Sequence, residues 1–408
     1  MNSIGKKVDI VVFIISMTLA FSTKISDFSM PQEVSRVVSI VLLFYCLATS
    51  AMRQKDKEIN SMIKFVIFFY LLPAIAIHLY SLVMIGLGQM SSEFINSNFS
   101  AYAPIIAAGC GIYLFREKAL KYSFLSIIIA WLIAVLVALI HNGVGIFPFA
   151  ISQAYFNEYT PILGVDKNYL ELHDIALSMG LFGIYYVYKK NRFTRRDIPV
   201  IVVFFVISLM GMKRIAVFGF VVAIGITVLI KKIKKKNYLK AGIINGLVMS
   251  TLSSSFVYLV FSGKFNALLS GVNMMGRNYY YDVIKSYGEL TPSFVGTGRN
   301  SVSMILTRYH SYLNVGGVHS DILKMYVENG FIMFFVWLAY YLFTLPVMIY
   351  RKLNIETLGM YVCIIAYTFI IYLTDNVENY YIYQMIFVSV PCCYFLGLLA
   401  EKRLKKEQ

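Results

Sequence analysis

The chain has 408 residues, 59% of them hydrophobic and only 14% charged, and it repeatedly carries apolar runs long enough to cross roughly 30 Å of hydrocarbon. Strands of a membrane barrel would alternate with a period of two over about ten residues, whereas "SIIIAWLIAVLVALI" and "IVVFFVISLM" are solidly apolar, which excludes a barrel and leaves helices as the spanning structure. The formal charge of +16 does not point to nucleic acid, because the basic runs are spread over every second loop and never gather into one patch.

In chain order, the hydropathy pattern predicts twelve membrane-spanning helices, near residues 8–23, 35–52, 65–88, 101–115, 122–141, 169–188, 197–211, 214–230, 241–262, 330–350, 357–374 and 380–400. The first starts with a basic "GKKVD" and no small-residue cleavage site follows it, so it reads as a span and not as a removable signal peptide. Short cytoplasmic loops collect Lys and Arg, and an N-terminus placed inside puts 26 of the 37 basic residues on the cytoplasmic side. The expectation is an all-α, polytopic integral membrane protein, a single membrane domain over residues 1–408 with both termini cytoplasmic. Cys46, Cys110, Cys363, Cys392 and Cys393 all fall in apolar runs without metal-type spacing. They read as small buried apolar residues, with neither a disulfide framework nor a zinc site implied.

This orientation leaves residues 263–325, between the ninth and tenth helices, as one large loop on the outer side. Most connections are a few residues long, and a loop of this size commonly carries function. It also defies the charge rule: Lys264, Arg277, Lys285, Arg299, Arg308 and Lys324 outnumber Asp282, Glu289, Asp321 and Glu328 on the side where basic residues are depleted. A bound anion is the expected reason.

Lys213 and Arg214, in "SLMGMKRIAVFGF", sit between two apolar runs at the outer ends of both helices. Arg214 opens the eighth helix, where unpaired backbone N–H groups and the positive dipole end make an anion site in outline. The plainer reading is a cation that snorkels to mark the membrane edge. In "GRNYYYDVIKSYGELTPSFVGTGRNS" a short amphipathic helix is expected to begin near Gly276, followed by a turn at Pro292 and a glycine-flanked turn at Gly296 and Gly298. No GK[ST] follows those glycines, so a nucleotide P-loop is not supported. Tyr279, Tyr280, Tyr281 and Tyr287 can stack on sugar rings or form an interfacial aromatic belt.

His319 precedes a helix in which Asp321, Lys324 and Glu328 recur at spacings of three and four as one polar stripe, a solvated face as far as Lys324 is concerned. At the edge of that helix, with arginines nearby, the imidazole is expected to be mostly neutral. A neutral imidazole can take a proton from a hydroxyl, the job of a general base. His78, inside the third span with Pro73, is expected to make an interhelical hydrogen bond. His173 and Asp174 start the sixth span, and Asp375 and Glu378 lie in the last outer turn, "TDNVENYY", where they can border the same cavity.

Taken in order, an arginine opening a mid-chain helix (Arg214), R-x-x-x-aromatic (Arg277 to Tyr281), P…G-x-G (Pro292, Gly296, Gly298) and H-S-x-x-L…E-x-G (His319, Ser320, Leu323, Glu328, Gly330) resemble the O-antigen polymerase and ligase superfamily. The motifs cover about residues 205–340, and the twelve-span topology extends the likeness to the whole chain. Members are membrane glycosyltransferases that take a sugar chain from an undecaprenyl-diphosphate carrier on the outer leaflet and attach it to an acceptor hydroxyl. The resemblance implies that Arg214 and Arg277 hold the diphosphate and that His319 binds or deprotonates the acceptor; Arg299 is expected as a further diphosphate-binding residue, and Tyr281, Asp375 and Glu378 on the acceptor side. It further implies a bacterial inner membrane, contacts with membrane lipids and a chain-length regulator protein, and neither metal nor cofactor. Members often carry Asn after this histidine, and Ser320 departs from that pattern.

Polymerase and ligase share these motifs, so transfer to lipid A core stays open as an alternative. The competitor of another class is a lipid-linked oligosaccharide flippase or transporter. That class relies on ionisable residues or broken helices near the bilayer midplane and on half-sequence repeats. Here the centres of the predicted spans are nearly free of Asp, Glu, Lys and Arg, and no clear repeat relates the two halves.

Overall fold

The computed structural model describes residues 3–22, 33–51, 56–85, 92–145, 147–148, 151, 172–190, 193–211, 213–268, 277–310 and 317–407. All regular structure among them is helical, and eight helices are long and apolar enough to cross a membrane. These are Glu33–Ser50, Lys57–Met84, Phe99–Asn142, Arg214–Lys232, Lys235–Phe261, Asp321–Lys352, Ile355–Tyr372 and Tyr381–Glu407. A helical membrane protein is therefore the fold class, as expected. Of the remaining predicted spans, 8–23 falls on the helix Ser3–Ser22, 169–188 on His173–Lys189 and 197–211 on Ile198–Leu209. The two spans at 101–115 and 122–141 share the 44-residue stretch Phe99–Asn142, which turns at Arg116–Lys118, where Arg116 has a φ of 57°. Residues 23, 52, 86–88 and 169–171 of the predicted spans, with 269–276 and 311–316 of the predicted loop, lie outside the described residues.

Where the composition suggests one membrane domain, the contacts sort the chain into two compact units. The first holds residues 1–71, 100–229 and 380–408. In it Ser3–Ser22 packs along Ala119–Asn142 and Glu33–Ser50, with Phe13 and Met17 wholly buried. Asp56 caps the helix Lys57–Val66 by accepting from the N–H groups of Glu58 and Ile59, and Arg116 pairs with both Asp56 and Glu58. The last helix packs against His173–Lys189, and Asp174 ties the two. Its carboxylate accepts from the backbone N–H groups of Ile382 and Tyr383 at 2.9 and 2.8 Å. N–H groups in a first turn have no intrahelical acceptor, so a buried carboxylate there satisfies donors that would otherwise be orphaned. All five cysteines are free and buried, the place expected for small apolar side chains.

The second unit holds residues 72–99 and 230–379. Tyr238–Phe261 packs against Ile355–Tyr372 and against Tyr340–Thr344, a π-helical turn that joins Asp321–Ala339 to Leu345–Lys352. The helix Asp321–Ala339 is itself broken at Gly330, where φ is 77° and ψ 179°. The break frees backbone groups, and the segment 294–298 supplies their partners. Thr297 N–H donates to Val327 O at 2.9 Å, Gly298 N–H to Glu328 O at 2.9 Å, and Phe331 N–H to Phe294 O at 2.8 Å. Only glycine permits this approach. A Cβ on Gly330 would lie 2.3 Å from the Val295 carbonyl carbon, and one on Gly296, whose φ is 95°, would lie 2.5 Å from Glu328 O. The span predicted from residue 330 thus begins at a break, and the helix starts at Asp321, in a stretch whose charges mask it from a hydropathy reading.

Candidate functional site

The half-helix 321–329 is polar and yet buried, with Asp321, Lys324, Glu328 and Asn329 at most 5% exposed. This corrects the solvated face expected for Lys324. A charge taken out of water must be paired and hydrogen-bonded, and here the partners come from distant parts of the chain. Lys324 Nζ donates to Glu378 Oε2 at 3.2 Å and to Asn379 Oδ1 at 2.9 Å. Arg299 pairs with Glu378 through Nη2 and with Glu328 through Nη1 at 3.4 Å, while its Nε donates to His78 Nε2 at 3.1 Å. Its own N–H donates to Ser81 Oγ at 2.6 Å. Asp321 joins through Oδ2, which accepts from Glu378 N–H at 2.7 Å. Burial acts to raise the pKa of Glu378, but the charges of Arg299 and Lys324 outweigh it and hold the carboxyl down at about 2.

Two expectations change with this network. Arg299, expected to grip diphosphate, spends its guanidinium on Glu378, Glu328 and His78 and is buried among them. His78 makes a buried hydrogen bond with that same arginine of the glycine-flanked turn. The cationic excess of the 263–325 segment is correspondingly smaller, since Glu378, from outside it, answers both Arg299 and Lys324.

His319 stands beside this frame, half-buried, with a φ of 51°. Its ring lies 6.2 Å from that of Tyr280. Arg277 opens the helix Arg277–Lys285, the short helix expected there, although Gly276 itself lies outside the described residues. Tyr281 points inward on that helix, packed edge-on against Phe256 and Phe265. Burial pushes its phenol up to about 12, with Arg277 lowering and Asp375 raising it, so both charged groups lie within electrostatic reach of the ring. Arg277, Tyr280, Tyr281, His319 and Asp375 all belong to the second unit. Asp375 is wholly buried, and its backbone carbonyl accepts from Asp321 N–H at 3.1 Å.

Arg214 belongs to the first unit, where it opens Arg214–Lys232 and is exposed. Beside it Lys213 Nζ lies 3.3 Å from the Tyr380 hydroxyl and 5.8 Å from the centroid of that ring. Asp174 holds the last helix, as described above. Two residues that the sequence does not single out, Asn376 and Ser81, prove to bind the backbone of functional candidates and their neighbours. An Asn in a short turn is a familiar signal for side-chain bonding to backbone, although it does not say to which segment. Among the described residues, no group of three His, Cys, Asp or Glu side chains is arranged to hold a metal ion.

Fold and site together define an integral helical membrane protein with a buried ion network set against a broken helix. No family model, curated protein or solved structure matches the chain.

Proposed function

We propose that the protein is an oligosaccharide repeat-unit polymerase of a bacterial inner membrane, with twelve spans, cytoplasmic termini and the segment 263–325 on the outer face. The observation that carries this reading is the pairing of His319 with the helix that Arg277 opens, on a frame of buried ion pairs. The donor is a glycan on undecaprenyl diphosphate and the acceptor a hydroxyl of another lipid-linked repeat unit. The acceptor oxygen attacks the anomeric carbon, the bond from that carbon to the diphosphate oxygen breaks, and the hydroxyl proton passes to the His319 imidazole. Charge builds on the departing diphosphate, and arginine donors that grip harder as it builds lower the barrier. Arg277 takes that part in the second unit. Arg299 keeps the frame in place. The lipid carrier stores the energy of transfer, so the reaction consumes no nucleotide.

The test is reconstitution. Purified protein given lipid-linked repeat units builds a ladder of products in EDTA, and His319→Ala binds donor lipid but loses about a hundredfold or more in turnover, the scale for removing a general base. Wild-type turnover in a His319→Ala enzyme sinks the mechanism, and transfer of one finished chain to lipid A core, with no ladder, makes the protein a ligase. For the topology, a cysteine at Ser293 reacts with an impermeant thiol reagent in spheroplasts and one at Asn237 does not.

A second reading has an observation of its own. The membrane-grade stretch Asp321–Lys352 carries a break and, on the half-helix before it, buried charges, features that flippases and transporters also use; the predicted span 330–350 itself holds no Asp, Glu, Lys or Arg. Movement of lipid-linked oligosaccharide across a vesicle bilayer, with no new glycosidic bond, selects that reading.

A further inference from the structure

His319 has a backbone conformation that residues other than glycine adopt infrequently, and such a residue persists where its neighbours fix it. Several neighbours of this stretch come from residues 372–378. Asn376 Oδ1 accepts from Ser320 N–H at 3.1 Å, and the Ser320 hydroxyl donates to Tyr372 O at 3.2 Å while accepting from Leu323 N–H at 3.3 Å. Asp321 is held from both sides, its N–H donating to Asp375 O at 3.1 Å and its Oδ2 accepting from Glu378 N–H at 2.7 Å. On the other flank of the histidine, Gly317 lies so close to the same asparagine that a Cβ on it would stand 2.4 Å from Asn376 Nδ2. Residues on both sides of His319 are thus seated on residues 372–378. Glu378 anchors that turn in its place through Arg299 and Lys324.

We propose that the turn at Asp375–Glu378 is a clamp that sets the position of His319, with Asn376 and Asp321 as its positioning residues. The clamp itself is a statement about geometry; its effect on turnover rests on the role given to His319 above. Asn376 accepts the N–H of the residue next to the histidine, and Asp321 offers a carboxylate oxygen as acceptor, a part that an amide oxygen can also play. A conservative variant that keeps an oxygen there therefore preserves the position of the imidazole even though it removes a charge.

The experiment uses the full-length protein in detergent. Ethoxycarbonylation of His319 by diethyl pyrocarbonate is followed by mass spectrometry, beside turnover on lipid-linked repeat units. Asn376→Ala and Asp321→Ala should raise the modification rate at His319 severalfold and cut kcat by about tenfold to a hundredfold, the range that a displacement near 1 Å can cost, while KM for the donor lipid stays within about twofold. Asp321→Asn should leave both readouts near wild type. If Asp321→Ala fails to accumulate, Asn376→Ala carries the test. Unchanged His319 reactivity in Asn376→Ala overturns the clamp whatever turnover does. Raised reactivity with full turnover upholds the clamp and removes His319 from the proposed chemistry.

Discussion

The two units bury polar groups in different ways. In the first, buried polar side chains answer separate groups: Asp9 accepts from the Tyr45 hydroxyl at 2.7 Å, Asp174 takes two N–H groups of one helix turn, and Asp197 gathers Tyr186, Thr194 and Lys190 around its own carboxylate. In the second, Arg299 and Glu378 each serve several of Lys324, Asp321, Glu328 and His78, so that the charges are joined in one network. A one-to-one bond can be deleted for about the worth of that bond, whereas deleting one member of a buried network leaves charges that water cannot reach. Rigidity in the second unit is therefore collective, which suits a place where a histidine must be held in a fixed position.

Arg299→Ala sets the comparison at its widest. It should cost about 3–5 kcal/mol, the scale for leaving a buried charge unpaired, against about 1 kcal/mol for Asp9→Asn in the first unit. Thermal unfolding of the purified variants in detergent decides, and equal losses would mean that the network is not collective. Gly330→Ala comes next, at about 2–4 kcal/mol for a left-handed alanine forced against the 294–296 backbone. Its counterpart in the first unit, Gly225→Ala, meets open space inside a helix and should gain up to about 1 kcal/mol. Asp174→Ala, the loss of a helix cap, should cost about 1–2 kcal/mol, and Asp174→Asn less. A loss as large as that of Arg299→Ala would place Asp174 in a network of its own.

The last effect is that of pH. Glu378 has its pKa depressed from 4.5 to about 2, so it adds stability that is complete above pH 4.5 and is lost as the pH falls from there toward 2. The melting midpoint of Glu378→Gln should lie below that of the wild type at pH 7, and the gap should narrow below pH 4.5. A gap that widens on acidification contradicts the pairing with Arg299 and Lys324.

Local signals made much of this legible. The apolar runs placed the helices, the basic loops and turn residues placed their ends, and Arg214 and Arg277 both open helices as read from the chain. What the sequence hides is long-range. Nothing near Lys324 announces that Glu378 and Asn379 will cover it, and a spacing of three and four suits a wet helix face as well as a buried one. Gly330 sits where an apolar run begins, so it passes for the start of a span, and only the arrival of Gly296 shows it to be an interruption. The acidic pair Asp375 and Glu378 was visible as a turn, yet Asn376 between them gains its meaning from Ser320.

The interruption at Gly330 has a consequence for how the chain enters the membrane. Val327 and Glu328 offer carbonyls whose partner N–H groups lie at Thr297 and Gly298, the first pair thirty residues earlier in the chain. In hydrocarbon an unmatched carbonyl costs several kcal/mol, and the half-helix 321–329 also carries three charged side chains. Translocon insertion of the apolar stretch after Gly330 can therefore precede burial of the half-helix, but the half-helix cannot follow until residues 294–298 have been drawn in beside it. Chains lacking the 294–298 segment should therefore leave residues 321–329 reachable from water, which labelling of a cysteine in that half-helix would check.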